Sequence, residues 1–247
     1  MKLLDNYRQK KLEDEKYFTS DFKTMLRILL LNSMGFFFFG YIIPQVTSSV
    51  LGKGGTEIGW VWSAQIFGAL ISSPLAGWLT DKYSKKLLVL LGSIGRGVSY
   101  LILYVGILLG NLETFIAGAF ILGFSVALFW QPYDALISQK SYKTKRSYAF
   151  GRRAGLMGLG NLLGTLISMG IFITVTFYLP GNYALQYSPL ILFFASNVIA
   201  GIIFQKKVNE DLQIDDEMKN GVVANPEITA IQDIIPSDSE KKTRKGL

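Results

Sequence analysis

Charged residues are missing from four long stretches of this chain and nearly so from a fifth, and those stretches set the architecture. Ile28 to Gly52, Ile58 to Thr80 and Thr114 to Tyr133 contain no Asp, Glu, Lys or Arg. Leu87 to Leu112 contains only Arg96, and Ala154 to Gln205 again contains none. A hydrocarbon core of about 30 Å takes roughly 20 residues of helix to cross, so each of the first four runs predicts one membrane-spanning helix. The fifth is long enough for two and is broken at Leu179 to Pro189, where Pro180-Gly181-Asn182 signals a turn. It predicts a helical hairpin. The expected fold class is therefore all-α and membrane-integral, with six spans at about 25–51, 57–79, 87–109, 113–137, 149–178 and 184–205.

Three segments follow from that pattern: an N-terminal arm at 1–23, a six-helix bundle at 24–205 and a polar tail at 206–247. The tail has nine acids against seven bases, two prolines (Pro226 and Pro236) and no aromatic residue. Such a composition cannot bury enough apolar surface to order itself, so it is expected to be mobile, with a short surface helix over Glu210 to Lys219 as the alternative. The charged first twenty-odd residues lack the apolar core of a secretory signal.

The chain is basic, with a formal charge of +7, but the distribution of the cations argues for topology and against nucleic acid. The arm carries Lys2, Arg8, Lys10, Lys11, Lys16 and Lys23. The turn after span two carries Lys82, Lys85 and Lys86, and the loop after span four carries Lys140, Lys143, Lys145, Arg146, Arg152 and Arg153. The tail adds seven more, whereas the opposite loops hold Lys53 alone. An excess of Lys and Arg marks the cytoplasmic side, which puts both termini inside the cell. Anionic inner-leaflet lipids are expected neighbours of the basic loops.

Cysteine and histidine are both absent. Thiolate and imidazole chemistry is thereby removed, together with the commonest zinc ligands. A Ser–His hydrolase is excluded. Asp81 and Asp134 both lie near the inner surface, so a deep aspartate pair is not available either. No catalytic role, metal or cofactor is expected.

The turn after span two reads GWLTDKYSKK, Gly77 to Lys86. It resembles the signature of the major facilitator superfamily: Gly, three residues, Asp, a basic residue, any residue, Gly, then two basic residues. Gly77, Asp81, Lys82, Lys85 and Lys86 match, and Ser84 stands where the family has Gly. In the family this carboxylate and its basic neighbours form a cytoplasmic latch that holds two halves of a transporter together and breaks as the protein changes state. By that resemblance the lysines pair with Asp81, while Ser84 bends the turn differently, since Gly best supplies a positive φ. Trp130 to Gly155 is similar to the family's connection between helices four and five. Gly155, Gly158, Gly160, Gly164 and Gly170 give span five a smooth packing face. The family's antiporter Gly-Pro is replaced by Gly164-Thr165.

The resemblance covers residues 24 to 207 and half of a family member, which usually has twelve spans. It implies a bundle built as a three-plus-three inverted repeat. A faint echo agrees: Gly68-Ala-Leu-Ile-Ser72 in span two and Gly164-Thr-Leu-Ile-Ser168 in span five, with Pro44 and Pro132 near the ends of spans one and four. Spans one and four line the family's central cavity. The candidate cavity or coupling residues are Asn32, Phe36, Gln45, Gln65, Arg96, Trp130, Gln131, Asp134 and Asn161, with Phe39 and Phe124 as further aromatic candidates. Polar groups inside a membrane are costly enough to be functional candidates. Arg96 lies about ten residues into span three, within reach of Asp134 or Gln131 on span four.

The expected function is secondary transport of a small solute by alternating access, as the N-terminal half of such a transporter. The expected partners are lipid, the solute, and a C-terminal six-helix half or a second copy of the chain. The alternative is a non-transporting six-span scaffold or regulator.

Overall fold

The computed structural model describes residues 16–215. The predicted arm up to residue 15 and the tail from residue 216 lie outside the described residues. The helices are α1 (Phe22–Asn32), α2 (Phe36–Gln45), α3 (Gly55–Lys82), α4 (Lys85–Leu109), α5 (Leu112–Gln139), α6 (Arg146–Tyr178), a short α7 (Tyr183–Gln186) and α8 (Pro189–Lys207). A π-helical turn, Val46–Val50, continues α2 past Pro44. Apart from one isolated bridge between Phe18 and Ser141, the described residues form no β-structure.

Five stretches are long and apolar enough to cross a membrane: α3, α4, α5, α6 with the turn before it, and the α7–α8 pair. They coincide with spans two to six. The predicted first span differs: its helix is interrupted at Ser33, Met34 and Gly35, leaving pieces of 11 and 10 residues.

The outside of the bundle is apolar. Ile66, Phe67 and Leu70 on α3, and Leu166, Ile173 and Phe177 on α6, are all exposed. Inside, two apolar clusters sit one above the other. One gathers the N-terminal piece α1 with Phe129, Tyr133, Leu136 and Phe204. The other gathers α2 with Tyr100, Leu103, Phe115 and Phe193. Between them, at the level of the break in the first span, runs a belt of buried polar residues: Asn32, Ser33, Ser93, Arg96, Ser125, Asn161, Ser196 and Asn197.

The pairing of helices is symmetric. α3 packs on α5 as the α1–α2 piece packs on α6, α4 packs on α5 as α1 packs on α8, and α4 packs on α8. Exchanging the first three spans for the last three maps these pairs onto themselves, which fits a three-plus-three repeat. The echo in the sequence has a matching role. A Cβ at Gly68 would strike the Phe120 carbonyl oxygen of α5, and one at Gly164 would strike the Met34 carbonyl oxygen in the break. Each glycine is the point where one helix backbone lies against another.

The segment after α8 is not free. Val208 and Ile214, in the part of the predicted tail that the structure describes, are buried against the bundle. Of the alternative surface helix at Glu210 to Lys219, the described part has bends at Glu210 and Asp211 and helical backbone only at Ile214 and Asp215.

Candidate functional site

The break in the first span leaves the carbonyl groups that end α1 without helical partners, and side chains from other helices take them up. Arg96 of α4 donates from Nη2 to the Asn32 carbonyl at 3.0 Å, and from Nη1 to Asn32 Oδ1. Ser196 of α8 donates from Oγ to the Leu31 carbonyl at 2.5 Å. Asn32 Nδ2 donates to Ser93 Oγ at 3.1 Å. The interruption is thus built into the packing: α4 and α8 supply donors where the helix stops.

A cavity of about 240 Å³ opens beside the break, lined by Ser33, Phe36, Arg96, Trp130, Arg153, Met157 and Asn161. Its two guanidinium groups differ. Arg153 lies over the Trp130 ring at 4.3 Å, and its Nε is 2.9 Å from Asp134 Oδ1. That contact is an ion pair in which the N–H is not aimed at the carboxylate, since neither atom completes a hydrogen bond. Arg96 is 1% exposed and forms no ion pair among the described residues. Its other neighbours include the Tyr100 hydroxyl and the face of Phe129, 5.4 Å away, and its Nε has no hydrogen-bond partner. Ser33 Oγ and Asn161 Oδ1 are also buried without partners. Insertion scales put the cost of an arginine at the middle of a membrane helix at about 2.5–3.5 kcal/mol, so this charge is held at some expense.

Four of the nine candidate cavity residues, Phe36, Arg96, Trp130 and Asn161, line this one space. Asn32 and Asp134 adjoin it through the two arginines. The remaining three lie elsewhere. Gln45 donates to Ser49 Oγ one turn along, the Gln65 backbone lies against Gly123 of α5, and Gln131 faces Gly77 of α3. Arg96 does not reach Asp134 or Gln131, because the partner of Asp134 is Arg153 and that of Arg96 is Asn32. Ser33, Arg153 and Met157 are the cavity residues that sequence reasoning missed. Ser33 sits in an apolar run with nothing to mark a break. Arg153 was counted as a loop cation, and its helix begins about two turns before it.

The turn between α3 and α4 also differs from expectation. Asp81 is exposed and has no hydrogen bond or ion pair among the described residues. Lys82 lies over the Trp78 ring at 4.4 Å. Ser84 has φ −56° and caps α4, accepting from Leu87 N at 3.3 Å. No positive φ is needed at this position, so serine replaces glycine without strain and adds a cap.

Lys85 and Lys86 point their backbone N–H groups at a carboxylate from beyond α8. Glu210 accepts from Ser84 Oγ at 2.5 Å, from Lys85 N at 2.6 Å and from Lys86 N at 3.4 Å, with Lys85 Nζ 3.9 Å away. Partial burial works to raise its pKa. The Ser84 hydroxyl, the two backbone N–H groups and the Lys85 ammonium outweigh it, and the net shift is below the ordinary glutamate value. A second clamp lies beside this one. Lys140, completely buried, donates from Nζ to both Asp21 oxygens at 3.0 and 2.8 Å, to the Asn209 carbonyl at 2.5 Å and to the Leu212 carbonyl at 3.2 Å. Asp21, the α3–α4 turn, Lys140 and residues 208–212 therefore gather at one end of the bundle, where the sequence had grouped its basic segments.

The sequence profile of the Major Facilitator Superfamily matches residues 26–211. The chain belongs to the major facilitator superfamily. Within it, the chain is 30% identical over 140 residues to an MFS-type transporter of Aspergillus fumigatus, covering 56% of this chain and 32% of that protein. It is 28% identical over 145 residues to multidrug resistance protein 2 of Bacillus subtilis, covering 58% and 36%. With the quinolone resistance protein NorA of Staphylococcus aureus it shares 29% over 147 residues, covering 59% and 37%. The chain thus matches about a third of the length of these superfamily relatives. The tetrameric PepTSo2 crystal structure has the same fold, with a TM-score of 0.66 at 18% identity over 81% of this chain and 41% of that one. A multi-pass membrane protein of a transporter family is what the fold and these matches establish.

Proposed function

We propose that this chain is the N-terminal six-helix half of a secondary transporter, moving a small solute by alternating access, and that it has no catalytic activity. The observation that carries the reading is the polar cavity at mid-height in a bundle whose outer surface is apolar. Transporters of this architecture bind at the midplane and rock one bundle against another around the site. The broken first helix counts as one span in this reading, giving six. The end bearing Asp21, Lys140 and Glu210 faces the cytoplasm of the cell membrane, as the excess of cations there requires. The exposed Asp81, without a partner among the described residues, is the group that a C-terminal half would engage.

A half bundle lacks the opposing wall of its cavity. The purified chain alone, in proteoliposomes, is expected to give no saturable solute uptake, and uptake is expected on co-reconstitution with a C-terminal six-helix half. Saturable uptake by the chain alone would overturn the half-transporter reading. Its absence with every matching half would favour a scaffold.

A further inference from the structure

The cavity wall carries one more positive charge than negative. Arg153 is matched by Asp134 at 2.9 Å, while Arg96, deeper and 1% exposed, has no carboxylate among the described residues and only the dipoles of Asn32, the neutral Tyr100 hydroxyl and the Phe129 ring face against its charge. A buried cation in low dielectric is stabilised strongly by an anion and only partly by amide dipoles. The same wall offers unused hydrogen-bonding groups: Arg96 Nε and Ser33 Oγ as donors, and Asn161 Oδ1 as an acceptor, all three buried and without partners. The break adds a further positive element. The ten-residue helix α2 begins at Phe36, and both Ser33 and Phe36 line the cavity, so the positive end of its dipole lies at the same place. The remainder of the lining is apolar or aromatic: Phe36, Trp130 and Met157.

These features select among solutes. A cation would meet two guanidinium groups and a single carboxylate that is already engaged. A dianion would bring one charge more than the wall can neutralise. A neutral solute would leave Arg96 as it is. We infer, resting on the transport reading above, that the solute is a monoanion with a small aromatic or branched apolar body. Its carboxylate engages Arg96 and the Ser33 hydroxyl, and its apolar part lies among Phe36, Trp130 and Met157. The cavity volume of about 240 Å³ suits a compact molecule of this kind.

The test is equilibrium binding of radiolabelled benzoate to the purified chain in detergent, with benzyl alcohol and benzylamine as competitors of the same shape and different charge. Benzoate is expected to bind saturably and to be displaced about tenfold or more weakly by benzyl alcohol and not at all by benzylamine, as a charge-assisted contact requires. Arg96→Gln should weaken benzoate about tenfold or more, Arg96→Lys should restore part of the loss, and Ser33→Ala should weaken it several-fold. The three-probe comparison uses the unmodified chain, so it stands even if an Arg96 variant does not fold. No benzoate binding, equal displacement by benzylamine or benzyl alcohol, or benzoate affinity unchanged in folded Arg96→Gln overturns the inference. Because binding is measured apart from uptake, loss of the anion preference and loss of transport are separate results.

Discussion

Replacing Asp21 with alanine strips the counter-charge from a lysine that has no contact with solvent. The Lys140 side chain is 0% exposed and that of Asp21 12%, so the pair escapes the solvent screening that makes surface ion pairs worth little. Removing one member of a buried pair costs about 3–5 kcal/mol, because the other is left uncompensated. Lys140 would keep its bonds to the Asn209 and Leu212 carbonyls, which places the cost at the lower end, about 3 kcal/mol. Those carbonyls belong to the segment after α8, so the cost should appear as easier release of that segment. The chain has no cysteine, and V208C introduces a single thiol at a buried position. If maleimide labelling follows local opening, about 3 kcal/mol is about a hundredfold in rate. A rise below tenfold on Asp21→Ala would refute the reasoning.

Gly164→Leu should disrupt the packing of α6 on the first span, since even a Cβ there strikes the Met34 carbonyl. Overpacking costs about 1–3 kcal/mol and more against backbone. Gly158→Ala, with open space around it, should leave thermal unfolding in detergent unchanged, and equal losses in the two would count against the packing argument. The Glu210 clamp predicts a pH dependence. Its pKa is lowered in the folded chain, so its contribution is complete above the ordinary glutamate value and is lost as pH falls through the depressed one. Proteolysis within 208–215 by an acid-active protease should therefore accelerate in that acidic window. Glu210→Gln should remove the pH dependence while raising the rate above it.

The spans were legible because the bilayer imposes a length and forbids charge, and both constraints act on the sequence directly. Helix ends agree with the predicted ones to within about three residues. The interruption of the first span left no such trace. Ser33, Met34 and Gly35 are all tolerated inside a membrane helix, and what stops the helix is the set of donors that Arg96 and Ser196 bring from α4 and α8. Partner choice was hidden for the same reason. Depth along two helices put Arg96 within range of Asp134, but α1 lies nearer, and Arg153, about two turns into α6, reaches the carboxylate instead. Lys140 was counted among loop cations because nothing local distinguishes it from Lys143 and Lys145. Its burial depends on Asp21 and residues 209–212, distant in sequence on either side.

The two pieces of the first span answer to different neighbours. α1 is embedded in one apolar cluster and α2 in the other. α4, α5, α6 and α8 run unbroken through both clusters, so the first span alone has three non-helical residues, Ser33, Met34 and Gly35, at which its two pieces can change their angle without breaking a hydrogen bond inside either piece. Ser33 also lines the cavity, so the joint and the pocket share a residue. Any change in the angle between the two pieces would therefore act on the wall of the pocket itself.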